Sequence, residues 1–255
     1  MHLARVTVRW VRGRTPTKQR WAVDHATVTT VLRGAGCVAA ESEASELMAA
    51  ASSSATLDAM VARRATGEPL AWITGHAQFC GLDVLVDPGV YVPRWQSERL
   101  AMRSAELLAP HGCAVDLCTG SGAIARVLGD ARPGATVVAT ESDPVAAACA
   151  RRNGVTVFEG SLDDPLPAEL AGHVDVLVGV VPYVPSASLH LLPRDVREFE
   201  PIAALDGGLD GLEVLATVVA RSAAWVRLGG WLLLECGTDQ VGALSALLEL
   251  SLIHI

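Results

Sequence analysis

The chain has 255 residues, of which 51% are apolar, 19% charged and 4% aromatic, a balance that supports a sizeable core and excludes a disordered chain or a disulfide-stapled miniprotein. The net charge is −8; residues 1–23 hold six cations (Arg5, Arg9, Arg12, Arg14, Lys18, Arg20) and no acid, so the rest stands at −14 and repels a phosphate backbone. No apolar run reaches the ~20 residues of a membrane span, because Arg221 and Arg227 interrupt the best candidate, and no signal-peptide core follows the first residues; a cytoplasmic protein is expected.

Residues 1–25 form a basic extension without helical or alternating period. It reads as unstructured, or as a mis-assigned start, rather than as an arm for nucleic acid or the ribosome. Six cysteines (Cys37, Cys80, Cys113, Cys118, Cys149, Cys236) are scattered, with no Cys-x-x-Cys pair and no His at zinc spacing, and read as reduced, mostly buried thiols.

From about Ala26 to Thr66 the chain is rich in Ala, Leu and Glu, with breaks at Gly34, Gly36 and Ser52-Ser53-Ser54. This pattern predicts two or three short helices, in a helical domain over 26–75. From Trp72 to Val92, β-branched and aromatic residues surround Gly81, Asp87, Pro88 and Gly89, which predicts a hairpin linker over 76–96. A second domain over 97–255 then opens with Ser97 capping an amphipathic helix that carries Leu100, Ser104, Leu107 and Leu108.

Beyond Pro110, apolar strands at Ala114–Leu117, Thr136–Ala139, Val155–Phe158, Val174–Val178 and Trp231–Glu235 alternate with helical stretches. The expected fold is α/β, with a parallel doubly wound sheet and its ligand site at the carboxyl ends of the first strands. The first strand runs into Asp116-Leu117-Cys118-Thr119-Gly120-Ser121-Gly122-Ala123-Ile124-Ala125, a glycine turn whose bare backbone and helix-end N–H groups face a ligand. It satisfies G-x-G-x-x-A, and Glu141, at the end of the second strand, is placed for ribose hydroxyls, so a nicotinamide dehydrogenase is one reading. Asp116 at the lip of this pocket suits a ligand with a cationic amino-acid tail, such as S-adenosylmethionine, better than a pyrophosphate. Alternatively, Asp116 caps the loop and Glu141 is a solvated strand end. Ser121 reads as a helix cap, since G-x-S-x-G is absent, and Asp143-Pro144 as the cap and first residue of the next helix. His76, His111, His173 and His190 have no partners at metal spacing. Trp72, Trp225 and Trp231 read as packing residues, and Trp95 as the tryptophan placed to touch a peptide.

Several further segments carry a resemblance: Gly67-Glu68-Pro69-Leu70-Ala71-Trp72-Ile73-Thr74-Gly75 with Phe79 and Gly81, Val92-Pro93-Arg94 with Ser97 and Glu98, Glu200-Pro201 with Ala204-Leu205-Asp206-Gly207-Gly208-Leu209-Asp210-Gly211-Leu212, and Gly229-Gly230-Trp231 with Glu235, Gly237 and Gln240. Together with the glycine turn, they resemble the HemK/PrmC family of protein-(glutamine-N(5)) methyltransferases, which act on the Gly-Gly-Gln loop of peptide chain release factors. The likeness spans about Ala26 to Gln240. It implies a class I, Rossmann-like methyltransferase sheet behind a helical domain that helps hold the release factor. It also implies S-adenosylmethionine as cofactor at Asp116, Cys118, Thr119, Gly120, Gly122, Glu141, Ser142, Ser161, Leu162 and Val180. Pro93, Arg94, Trp95, Pro182 and Tyr183 are then the substrate side, with no metal, membrane or direct nucleic-acid partner.

The family grips the glutamine amide with an Asn-Pro-Pro-Tyr loop, whose Asn oxygen and following backbone carbonyl accept from the amide while the Tyr packs around it. Here that loop is Val180-Val181-Pro182-Tyr183. The Asn acceptor is lost and the Val181 carbonyl remains, an expected cost of about 3 kcal/mol, or ~100-fold in rate. Pro182 should still end the strand. Cys118 replaces a usual Gly, and Ser161 replaces an Asp often found beside the adenine, with Asp163 one possible substitute out of register. Two alternatives follow from these departures: a cofactor-binding pseudoenzyme, and a methyltransferase for an exocyclic amine of nucleic acid. The last residues, Leu250-Ser251-Leu252-Ile253-His254-Ile255, resemble a translated sequencing-library adapter, and the family continues with two more strands. The expectation is a domain that lacks its last strands and associates through an exposed apolar sheet edge.

Overall fold

A computed structural model describes residues 23–252, with side chains described as far as Glu249. The basic stretch 1–22 and residues 253–255 lie outside the described residues, and with them the expectations for that arm and for the end of the tail.

Four helices come first: α1 (His25–Gly34), α2 (Ala40–Ala50), α3 (Ser54–Ala65) and α4 (Leu70–Thr74). Asp24 and Ser53 start α1 and α3 by accepting the N–H groups of Thr27 at 2.9 Å and Thr56 at 3.1 Å. Leu32, Leu47, Leu57 and Met60 are buried between these helices, and Arg64 binds α3 to α2 through Glu43 at 2.7 Å. The hairpin starts at the expected residue 76 but its strands end at Leu85, short of 96, and Trp72, despite its strand-like surroundings in the sequence, lies in α4. The Trp72 indole N–H donates to the Val90 carbonyl at 2.9 Å, and its ring meets Phe199 edge-on. Gly75 ends α4 in the left-handed region, and β1 (His76–Phe79) then pairs antiparallel with β2 (Leu82–Leu85). Cys80 and Gly81, both at positive φ, make the tight turn between them.

Helix α5 (Glu98–Leu107) ends before Leu108, and Ser97 does not cap it with its side chain. Ser97 has helical backbone angles, and its hydroxyl is engaged elsewhere. The remainder is the expected α/β array: β3 (Cys113–Leu117), α6 (Ala123–Ala131), β4 (Thr136–Glu141), α7 (Pro144–Arg152), β5 (Thr156–Glu159), β6 (Val174–Gly179), α8 (Arg194–Phe199), α9 (Glu213–Ser222), β7 (Val226–Leu234) and α10 (Val241–Leu252). The five strands of this sheet are parallel in the order β5-β4-β3-β6-β7. The chain steps outward from β3, then returns across it to β6, so the crevice of a doubly wound sheet opens where β3 and β6 end. Strand β7 begins five residues before the expected Trp231, because an irregularity opposite Val174 and Val176, with Gly229 at positive φ, lets Val226 join the ladder. The two valines do not lengthen β6, which stops at Gly179.

Apolar residues on both faces of β3 and β6, among them Ala114, Val115, Val176 and Leu177, are fully buried, as parallel strands under two helical layers require. Asn153, at the end of α7, is 2% exposed and has every amide group engaged: its oxygen accepts the Leu85 N–H, and its nitrogen donates to the Leu85 and Ser121 carbonyls, all at 2.8 Å. Strand β7 forms the edge of the sheet among the described residues, with Leu228 and Trp231 exposed. The cysteines are free, but the expectation of mostly buried thiols is corrected: Cys149 is buried, and the other five are partly exposed because they sit at strand starts, turns and loops.

Candidate functional site

A cleft of about 920 Å³, its open mouth included, lies over the carboxyl ends of β3, β4 and β6. The glycine turn forms one side. Thr119 extends the β3–β4 ladder by donating its N–H to the Thr140 carbonyl at 3.0 Å, and the turn closes with Gly122 N–H to Thr119 carbonyl at 2.9 Å. Gly122, at φ +84°, is the cap residue just before α6; a Cβ there would press on Val155 and on Ala150 of α7, so this glycine serves close packing rather than the cleft. Gly120, at φ +58°, has nothing within 4 Å of where a Cβ would stand and lines the open cleft.

Two carboxyl groups brace this turn. Glu141 accepts the Gly120 N–H at 2.8 Å with one oxygen and the Asp143 N–H at 2.9 Å with the other, and it lines the cleft beside Ser142. Asp116 accepts the Thr119 hydroxyl at 2.6 Å and the Ala125 N–H at 3.1 Å. The cap of α6 therefore comes from Asp116, and not from the expected Ser121. Asp116 also sits at the floor of the cleft rather than its lip, 1% exposed, and burial raises its carboxyl to about 7. Each carboxylate keeps spare lone pairs after these bonds, which suits vicinal hydroxyls at Glu141 and a cationic group at Asp116. Cys118 adopts the left-handed region at φ +53°, the conformation that favours glycine, and burial pushes its thiol up to about 12, so it stays neutral.

The other side of the cleft comes from distant segments. Pro93 and Arg94 follow the hairpin; Arg94 lies over the Tyr91 ring at 4.8 Å and pairs with Glu200, which also accepts the Val92 N–H. Val180 and Pro182 line the cleft after β6, while Val181 turns into the core. The Tyr183 hydroxyl donates to Glu235 at 3.0 Å, and burial raises its ionisation well above the ordinary phenol range. The backbone of this loop is clamped from behind. Gln240 donates its amide to the Tyr183 carbonyl at 2.9 Å and the Asp210 carbonyl at 3.0 Å. Gly207 packs so closely that a Cβ would stand 2.7 Å from Tyr183 Cα, and a Cβ at Gly211, φ +75°, would overlap the Tyr183 carbonyl oxygen.

No family model matches the chain. Curated relatives do. The release factor glutamine methyltransferase of Geobacter sulfurreducens is 45% identical over 188 residues, 71% of this chain and 65% of that protein. That of Moorella thermoacetica is 41% identical over 70% of this chain and again 65% of the relative, so the match spans just under two thirds of these two proteins. The corresponding protein of Xylella fastidiosa (strain 9a5c) is 37% identical over 209 residues, 78% of this chain and 74% of the relative. The chain belongs to the release factor glutamine methyltransferase family. Among solved structures, a ribosomal protein L11 methylase from Lactobacillus delbrueckii subsp. bulgaricus is a loose likeness, 18% identical with a TM-score of 0.47 over 65% of this chain and 73% of that one.

Against the positions that resemblance to this family pointed to, the cleft gathers Asp116, Cys118, Thr119, Gly120, Glu141 and Ser142 with Pro93, Arg94, Val180 and Pro182. It does not gather Gly122, Ser161, Leu162, Val181 or Tyr183: Gly122 packs against Val155 and Ala150, Ser161 is exposed, Val181 is buried in the core beneath β6, and Leu162 and Tyr183 pack on that core. Asp163 also stands outside the cleft lining, where it accepts from the Trp225 indole at 2.9 Å and from Arg221 at 3.0 Å. Trp95 stands 74% exposed beside the cleft rather than in it. Sequence reasoning missed Tyr91, Ser97 and the Pro201, Ala203 and Ala204 stretch as lining residues. The signal was present in the Glu200-Pro201 segment, which marks likeness to the family without stating what it touches.

Proposed function

We propose that this cleft binds S-adenosylmethionine and transfers its methyl group to the side-chain amide nitrogen of a glutamine, the Gly-Gly-Gln loop of a peptide chain release factor being the substrate, in the cytoplasm. The observation that carries the reading is the meeting, in one cleft, of the Asp116, Gly120 and Glu141 cradle with the Pro93-Arg94 and Val180–Pro182 segments. The cradle fits the cofactor: Gly120 leaves the backbone open, Glu141 can accept ribose hydroxyls, and Asp116, at the floor of the cleft, can pair with a cationic amino-acid end. When bound, the cofactor supplies an electrophilic sulfonium methyl group. An amide nitrogen is a poor nucleophile, so the chain's task is to orient it and exclude water. Val180 brings only methyl groups to that task, which leaves orientation to backbone carbonyls such as that of Val181 and to the fixed shape of the loop.

Calorimetric titration with S-adenosylmethionine, followed by mass spectrometry of a release factor incubated with chain and cofactor, tests the reading. Binding and the gain of one methyl group on the glutamine are expected; a folded sample that binds no cofactor overturns it. Val180 also favours a second reading, a scaffold that binds cofactor and release factor with transfer much weakened, and binding without methyl gain would select it.

A further inference from the structure

Glu235 does not line the cleft, yet three contacts meet at it. Its N–H donates to the Gly179 carbonyl at 3.4 Å, carrying the β6–β7 ladder one residue further, just where β6 gives way to the Val180–Tyr183 loop. One carboxylate oxygen accepts the Tyr183 hydroxyl at 3.0 Å, and the other accepts the Ser97 hydroxyl at 2.7 Å. Ser97 lines the cleft at the end of the stretch that holds Pro93 and Arg94; Tyr183 follows Pro182, which lines it from the loop after β6.

The local role open to Ser97 makes the arrangement notable. A serine at a helix start ordinarily caps it, but Ser97, 4% exposed, gives its hydroxyl to Glu235 instead. Departure from a local rule at a cleft-lining residue marks a position held for the site. Tyr183 stays a neutral phenol in its buried setting and can only keep this contact as a donor to the carboxylate. Hydrogen bonds to a carboxylate are directional, so two of them from separate segments fix a distance that apolar packing would leave loose.

We propose that Glu235 is a positioning residue for the acceptor side of the cleft: by accepting from Ser97 and Tyr183 at once, it holds the Pro93–Ser97 stretch and the Val180–Tyr183 loop at one separation. The inference rests on the reading that this cleft methylates an amide. It gains weight from Val180, because a loop without a side-chain acceptor orients its substrate by backbone placement.

The test uses the full chain with 13C at tyrosine Cζ. The sequence has two tyrosines, Tyr91 and Tyr183, so two resonances are assigned by Tyr91→Phe. Glu235→Ala removes both acceptors, whereas Glu235→Gln has the same reach and can accept from one hydroxyl while donating to the other. With Glu235→Ala the Tyr183 resonance is expected to move and kcat/KM for a release factor to fall at least about tenfold, while the S-adenosylmethionine Kd stays within about twofold. Glu235→Gln is expected to return the resonance and bring kcat/KM within about threefold of wild type. A Tyr183 resonance unmoved by Glu235→Ala overturns the proposal. So does a Glu235→Gln variant no better than Glu235→Ala, or cofactor affinity lost in step with activity, which would make the role merely structural. A wild-type chain that binds cofactor but transfers no methyl group overturns the proposed activity alone, and the Tyr183 resonance then decides whether Glu235 ties the two segments.

Discussion

The cofactor side of the cleft is assembled from one short stretch, Asp116 to Asp143, in which a strand, a glycine turn, a helix and the next strand brace one another through Asp116 and Glu141. The acceptor side draws on Tyr91, Arg94, Ser97, Val180, Glu200, Gly211, Glu235 and Gln240, residues from five separate segments. A site built within one βαβ unit can survive changes elsewhere in the chain. A site held by remote clamps depends on the whole of the second half folding around it. Cofactor binding should therefore be the sturdier property and transfer the fragile one.

Substitutions on the two sides can break or sharpen that contrast. Gly211→Ala forces a Cβ into the Tyr183 carbonyl at a positive φ, and should lower the unfolding free energy by about 4 kcal/mol in denaturant titrations. Transfer should be lost while any folded fraction still binds cofactor. Val180→Asn places an amide acceptor in the cleft and should raise the rate of release-factor methylation by up to about 100-fold in a radiolabel assay, with cofactor affinity little changed. A larger gain in affinity than in rate would put Val180 on the wrong side of the comparison.

Asp116→Asn attacks the other side and should weaken S-adenosylmethionine binding by about tenfold or more in calorimetry. Its pH behaviour has a definite sign. Burial holds the folded-state pKa near 7, above the ordinary value near 3.8, so the carboxyl favours the folded state fully below about pH 4 and that contribution is lost as pH rises through 7. A cationic ligand requires the opposite, ionised form, so affinity should climb with pH to a plateau above 7, and the Asn variant should lack that climb. Asp143→Ala is the mildest change: removing the acceptor for the Val145 N–H should cost about 1 kcal/mol of thermal or chemical stability, while the Asp143 N–H that Glu141 accepts is kept.

The same contrast explains what the sequence made legible. Strands of the parallel sheet, the glycine turn, Glu141 and the Asp143-Pro144 helix start could be read because each depends on neighbours a few residues away. Asp116 could be found but not seated, since the depth of a carboxylate follows from helices packed above it. Ser97 and Ser121 do not cap, for a related reason: cap propensity is local, while the acceptor that claims Ser97 lies one residue past β7 and the cap of α6 comes up from β3. Trp72 carried a strand-like texture into α4 because an aromatic ring suits either element, and its contact with Val90 settles the matter only in three dimensions. Motif likeness singled out Glu200, Gly211, Glu235 and Gln240 without roles; spacing alone cannot show that all four converge on the two segments facing an acceptor.

Asn153 joins the hairpin to the glycine turn by acting as a surrogate strand: toward Leu85 it presents one acceptor and one donor, as a neighbouring backbone would, and its second amide hydrogen reaches Ser121. The linker is thereby spliced to the loop that meets the cofactor. Slowing of amide exchange at Leu85 on ligand binding would turn this splice into a reporter, registering occupancy of the cleft on the strand that leads back to the helical block.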